Sequence, residues 1–299
     1  MPKVNDDYPK KQEQMSDADL KRMAVQQFEK NPIKANNDKS EGYKFPTEIV
    51  ELPSKGLLYP EDNPLSSGKV EMKYMTAKEE DIITTPSLIK QGVVLDRLFQ
   101  ALIVGNGEGQ KIKYGDLLHG DKNAIMIAAR VLGYGKDYQV TLKTPSGDEM
   151  KEIIDLTKIE DKPLNMDELT PGKNEFSIKL PVSKRTLVFK LLTHRDEHAI
   201  ERDLKAQRKY NKMKGNNSTV TTRLSHMIVS VDGNDDREFI KNFVTNEFLA
   251  RDVQTMREKI QTVSPDVDLE FTFIDEETGE DFEATLPIGL DFFWPSADV

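Results

Sequence analysis

Residues 68–80, GKVEMKYMTAKEE, change period midway. Val70, Met72 and Tyr74 alternate with charged neighbours, which is the two-residue repeat of a half-buried strand, and Thr76 with Glu79 three positions on forms a capping box that starts a helix. Upstream, FPTEIVELPSKGLLYP (45–60) alternates and then breaks at Pro53, Gly56 and Pro60, so two strands flank an irregular loop. Downstream, Pro86 interrupts the helix. SLIKQGVVLDRLFQALIVG (87–105) then continues at helical spacing through Leu88, Ile89, Val93, Leu95, Leu98, Phe99 and Leu102. A second helix runs from Asp121 to Gly133, and alternation returns at 138–144 and 149–156 around Pro145-Ser146-Gly147, a hairpin. Short antiparallel strands mixed with helices make this an α+β chain.

The mixture repeats beyond residue 160. Glu175–Leu180 and Thr186–Leu192 read as strands, and Arg195–Lys212 as one charged helix with a polar loop after it. Asp235–Ile260 is expected to be a single helix with Phe239, Ile240, Phe243, Val244, Phe248, Val253, Met256 and Ile260 on its apolar face. VDLEFTFIDEETGEDFEATL (267–286) is a hairpin turning at Glu277-Thr278-Gly279. A chain of 299 residues allows about two domains, placed at 43–160 and 161–299. Residues 1–42 form a polar arm with one short helix, in which Leu20, Met23 and Phe28 share a face. A helix that short is marginal alone and is either disordered or docked on a neighbour.

Composition removes several classes of function. With no cysteine, disulfide scaffolds, thiolate nucleophiles, iron–sulfur clusters and Cys-type zinc sites are excluded. Mean hydropathy is −0.60, and no run approaches the ~18 apolar residues of a membrane span. The first residues, MPKVNDDYPKKQEQ, carry no apolar signal core, so a cytoplasmic chain is expected. Net charge is −10, yet Asp266–Val299 alone holds 11 acidic residues and no Lys or Arg, leaving a nearly neutral body. Such an end either meets a basic partner or simply solubilises exposed strands.

The sharpest catalytic pattern is His194, Glu197 and His198, an H-x-x-E-H run whose two histidines share a helical face and could hold Zn²⁺ while Glu197 works on a water. The residues after it, ERDLKAQRKYNK, describe a solvated helix without a third ligand, so the expected metal, cofactor and catalytic sets are empty. Asp232, Asn234 and Asp236 open like a calcium loop but lack its glycine and its closing glutamate. Gly105 to Gly109 lacks the Lys-Ser/Thr of a phosphate loop. The basic run Arg202, Lys205, Arg208, Lys209 and Lys212 suits an acidic protein surface, or a phosphate backbone in the alternative reading of the chain as a nucleic-acid-binding protein. At the end, Phe292, Phe293 and Trp294 on an extended strand would alternate faces, as an internal clasp or a partner contact.

LPSKGLLYP, GKVEMKYMTAKEEDIITTPSLIKQGVVLDRLF, GDLLHGDKNAIMIAARVLGYGKDYQV, LLTHRDEHAI, LSHMIVSVDGNDDREFIKNFV and LPIGLDFFWP occur in an order and spacing that resembles the baseplate hub and hub-assembly proteins of T-even-type contractile-tailed bacteriophages. The resemblance covers roughly 45–295. It implies a non-enzymatic structural or chaperone-like protein of tail assembly. Its partners would be other tail and hub proteins, met in the host cytoplasm during assembly or in the virion, with no membrane role. Several relatives carry a Cys-x-x-Cys-Gly knuckle in the last hairpin. This chain has Asp275-Glu276-Glu277-Thr278-Gly279 there, keeping the glycine without thiolates. The hairpin must then be held by packing and turn chemistry.

Overall fold

A computed structural model describes residues 46–210, 218–275 and 278–293. Contacts divide the chain into Met1–Lys44 and Phe45–Val299, and all described residues belong to the second unit, inside which the boundary expected near residue 160 falls. The expected arm helix with Leu20, Met23 and Phe28 lies outside the described residues, as do Lys212 and Trp294.

The fold is α+β, with four small antiparallel sheets and eight α-helices among the described residues. β1 (Thr47–Glu51), β2 (Lys69–Lys73) and β3 (Ile103–Gly105) form the first sheet in that order. Val70 and Met72 are its inward residues. Between β1 and β2 the loop folds on itself at Gly56, whose φ of 77° only glycine adopts freely and where a Cβ would sit 2.3 Å from the Ser66 carbonyl oxygen.

The capping box forms as expected. Thr76 Oγ and its backbone N–H both donate to Glu79, at 2.5 and 3.1 Å, opening α1 (Ala77–Thr84). Pro86 occupies the first turn of α2 (Pro86–Gln91). The run 87–105, expected as one helix, is broken twice. Gly92, at φ 72°, caps α2 before α3 (Val94–Leu102), and Ile103 turns extended to become β3. Gly92 supplies a left-handed cap, and β2 offers Ile103–Gly105 a ladder that outweighs three more helical residues.

α4 (His119–Tyr134) crosses the sheet, and its N-terminal end carries a buried polar node. Asp121, 0% exposed, accepts from Ser54 N–H (3.0 Å), Ser54 Oγ (2.8 Å) and Tyr59 Oη (2.5 Å), while Tyr59 Oη accepts from Leu118 N–H. Burial pushes the Asp121 carboxyl up and the Tyr59 hydroxyl further up. One residue earlier, Gly120 lies so close to the chain at Pro265 that a Cβ would be 1.9 Å from that carbonyl oxygen.

β4 (Asp137–Lys143) and β5 (Glu149–Asp155) make the expected hairpin. β6 (Phe176–Lys179) and β7 (Thr186–Phe189) pair as expected and gain β8 (Ile228–Val231), which follows α5 (His194–Tyr210) and α6 (Thr219–Met227). The expected helix over 235–260 is three pieces: α7 (Arg237–Asn242), a π turn (Phe243–Glu247) and α8 (Ala250–Val263). The widened turn lets Phe248 N–H reach the Phe243 carbonyl at 2.9 Å and stacks the two rings 5.1 Å apart. Asp252, in the first turn of α8, is buried and accepts from Val182 and Ser183 N–H, fixing the loop between β6 and β7.

β9 (Glu270–Ile274) and β10 (Asp281–Thr285) form the last hairpin. Without thiolates, Asp275 organises its turn. Its N–H donates to the Glu280 carbonyl, its own carbonyl accepts from Gly279 N–H, and its carboxylate accepts from Ser146 Oγ at 2.9 Å, tying this turn to the tip of the β4–β5 hairpin.

The extended strand expected at the end is instead a 3₁₀ turn, Asp291–Phe293. Successive residues there are about 120° apart rather than 180°, so two neighbouring rings can both enter the core. Phe292, 1% exposed, meets Tyr138 edge-on at 4.7 Å, and Phe293, 0% exposed, lies 6.0 Å from Phe99. These two rings are an internal clasp and are not available as a partner contact, which corrects that half of the expectation.

Candidate functional site

Thr193 and Asp196 cap the start of α5. Thr193 Oγ and N–H donate to Asp196 at 2.8 and 2.9 Å, and Lys190 pairs with the same carboxylate at 2.7 Å. Burial alone would raise the Asp196 carboxyl, but these partners hold it below its ordinary range. The cap fixes the direction of the first turn. His194 N–H then donates to the Leu117 carbonyl at 2.8 Å, and the His194 side chain turns inward instead of facing solvent as the charged helix suggested. It is 8% exposed, whereas His198 one turn on is half-exposed.

Both imidazoles reach a carboxylate from a different helix. Asp96, in the first turn of α3, places Oδ2 at 3.5 Å from His194 Nε2 and at 3.5 Å from His198 Nε2. Among the described residues, these three make the one cluster of His and carboxylate groups close enough to share a metal ion. The third ligand missing from the sequence pattern is therefore Asp96, brought in by the tertiary fold.

A fourth group decides the chemistry. Lys122, on α4, lies 2.9 Å from His194 Nδ1 and 3.5 Å from Asp96 Oδ1. An ammonium only donates, so Nδ1 accepts and the single ring proton sits on Nε2, facing Asp96. A metal would need that Nε2 lone pair and a proton on Nδ1. As arranged, the cluster is an internal Lys–Asp–His network in which Lys122 supplies the cation. Burial first, and then the Lys122 charge, lower the His194 pKa to about 4. Tyr114 completes the network: its hydroxyl donates to Asp96 Oδ1 at 3.0 Å and its ring packs edge-on to His194 at 4.6 Å. Burial, with Asp96 beside it, pushes that hydroxyl well up.

Glu197, the residue that would serve a metal-bound water, points elsewhere. It forms a two-pronged ion pair with Arg223 of α6, one arm at 2.8 Å. The network floors a groove of about 760 Å³ walled by Val93, Phe99, Met126, Leu204 and Leu290, with Lys205 and Arg208 at its rim. Arg202, Lys205, Arg208 and Lys209 are all exposed, but Lys205 lies 3.5 Å from Glu201, and Asp203 on the same helix pairs with His226. The structure thus interleaves this basic run with carboxylates. The calcium-like triplet is spent on local structure. Asp232 accepts from Thr186 N–H, Asn234 from Asp236 N–H, and Asp236 caps α7 through Phe239 N–H.

Asp96, Tyr114 and Lys122 carried no sequence signal as site residues. Asp96 looks like any helix-starting acid, and its role depends on a histidine 98 positions away. No protein-family model matches the chain, and neither a curated protein nor a solved structure matches it.

Proposed function

We propose that the chain is a non-enzymatic structural or assembly protein of the baseplate hub of a contractile phage tail, working through protein–protein contacts in the host cytoplasm. The observation that carries this reading is how the stretches behind the family resemblance meet in space. Ser54 and Tyr59 of LPSKGLLYP bond Asp121 of GDLLHGDKNAIM. Phe99, directly after QGVVLDRL, meets Phe293 of the closing LPIGLDFFWP, and Asp96 of the same stretch meets His194 of LLTHRDEHAI. Segments whose likeness lay only in order and spacing are mutual neighbours in one core. Several of their polar residues pair with one another across the core, which suits a frame that positions surfaces for other proteins.

Affinity purification of the tagged chain from cells expressing its parent genome, with quantitative mass spectrometry, tests the reading. Enrichment of tail baseplate proteins in fixed stoichiometry is the expected result. Recovery of the chain with none of them, or with nucleic acid in a salt-labile complex, contradicts it.

A further inference from the structure

β1 is the outer strand of its sheet, and among the described residues no other strand covers its free side. The register pairs Glu48 with Met72 and Val50 with Val70, and the flanking bonds run from Tyr74 N–H to the Pro46 carbonyl and from Leu52 N–H to the Gly68 carbonyl. Antiparallel pairs alternate between bonded and non-bonded. The even-numbered residues therefore hold β2, while Thr47, Ile49 and Glu51 aim their N–H and C=O groups away from it.

Beside that edge lies an open groove of about 420 Å³. The apolar side of α4, through Ile127, Ala128, Val131 and Leu132, is its floor, and Leu156 and Ile159 form the far wall. Ile49 is 49% exposed at the lip. The ionisable groups that line it are Glu48, Glu51 and Asp161, all carboxylates. Lys55 meets Asp161 at 2.5 Å, which leaves Glu48 on the groove face with Val50, and Glu51 on the opposite face across from Lys69, as the remaining carboxylates of the edge.

We propose that this groove binds an extended segment of another protein, alternating aliphatic residues with Lys or Arg, as an added strand on β1. A strand beside β1 would use the outward backbone groups of residues 47, 49 and 51 and set alternate side chains over α4, with the basic set on the opposite face beside Glu51. A second copy of this chain is a poorer occupant. Pairing two β1 edges about Ile49 would set Glu48 opposite Val50 and Glu51 opposite Thr47 of the other copy, leaving the two Glu48 side chains as diagonal neighbours with no cation from the groove lining to offset them. The proposal rests on edge geometry and charge and does not require the baseplate reading.

The test uses the full chain and a fluorescein-labelled octapeptide alternating Val and Lys, followed by anisotropy. Saturable binding is expected, weakened about tenfold or more when Lys is replaced by Glu in the peptide, and likewise when the peptide is N-methylated at alternate residues, since main-chain hydrogen bonds supply the affinity. Ile49→Pro should weaken binding similarly, because it deletes an outward N–H while leaving the β2 ladder intact. Ala128→Phe, which fills the floor, provides a second variant if Ile49→Pro folds poorly. The proposal is overturned by no saturable binding, by undiminished binding of the N-methylated peptide, which would mean charge attraction alone, or by a β1-dependent dimer that excludes the peptide.

Discussion

Replacing Asp121 with alanine should be among the most damaging single changes in this fold. The side chain is 0% exposed and accepts three hydrogen bonds, two from Ser54 and one from Tyr59. Each buried donor left without an acceptor costs about 1–3 kcal/mol. The Ser54 hydroxyl can rotate and the buried charge disappears, so the net loss should be about 3–5 kcal/mol, the range for breaking a buried charged network. Against a total stability of about 5–15 kcal/mol this leaves a marginal protein. Asparagine should be a partial remedy, because its oxygen can keep the Ser54 N–H while its NH₂ donates to the Ser54 and Tyr59 hydroxyls, which must then turn their own protons elsewhere. Tyr59→Phe removes one bond and orphans Leu118 N–H, costing about 1–2 kcal/mol, and the two changes should be strongly non-additive. Urea unfolding followed by circular dichroism, with the m-value compared to exclude a changed denatured state, measures both. An Asp121→Ala protein within about 0.5 kcal/mol of the parent, the range of ordinary surface changes, would refute the reasoning.

Phe293→Ala should cost about 3–5 kcal/mol, and truncation after Leu286 should abolish soluble folded protein; a truncated chain that folds normally would show the clasp to be dispensable. Because the His194 pKa is depressed to about 4 in the folded protein, its contribution to stability is full above the ordinary histidine pKa and is lost as pH falls through about 6.5 toward 4. NMR should find the His194 ring neutral at pH 5, and His194→Gln should flatten the acid limb of the stability curve; a protonated ring at that pH contradicts the network. Lys122→Met should free His194 Nδ1 and raise zinc affinity at Asp96, His194 and His198 about tenfold or more, as read by calorimetry. Equal affinity in parent and variant would show that Lys122 does not govern the site.

What could be read from the sequence was local. The capping box at Thr76 and Glu79, the alternation at Val70 and Met72 and the hairpin at Pro145–Gly147 each need only neighbouring residues, and each formed. What was illegible depended on distant partners. β3 exists because β2 offers a ladder to Ile103–Gly105, where the run LIVG reads equally well as more helix. The π turn at Phe243 follows from how Phe243 and Phe248 stack. The site shows the same division. The spacing of His194 and His198 was visible at once, whereas Asp96 and Lys122, which give that pair its chemistry, come from two other helices. The buried carboxylates Asp121 and Asp252 likewise resemble ordinary acids of a helix first turn until the backbone groups they satisfy are in view.

We propose that this chain builds contractile tails through contacts and not through catalysis. A nonsense mutation in its gene, placed in the genome that encodes it and examined by electron microscopy of lysates, tests this most directly. The account predicts particles with heads but without functional baseplates or attached tails, restored by the parent protein in trans and also by a Glu197→Gln form altered in the H-x-x-E-H run. Normal contractile tails and undiminished infectivity from the nonsense mutant, or a defect that the Glu197→Gln protein fails to rescue while still folded, would contradict it.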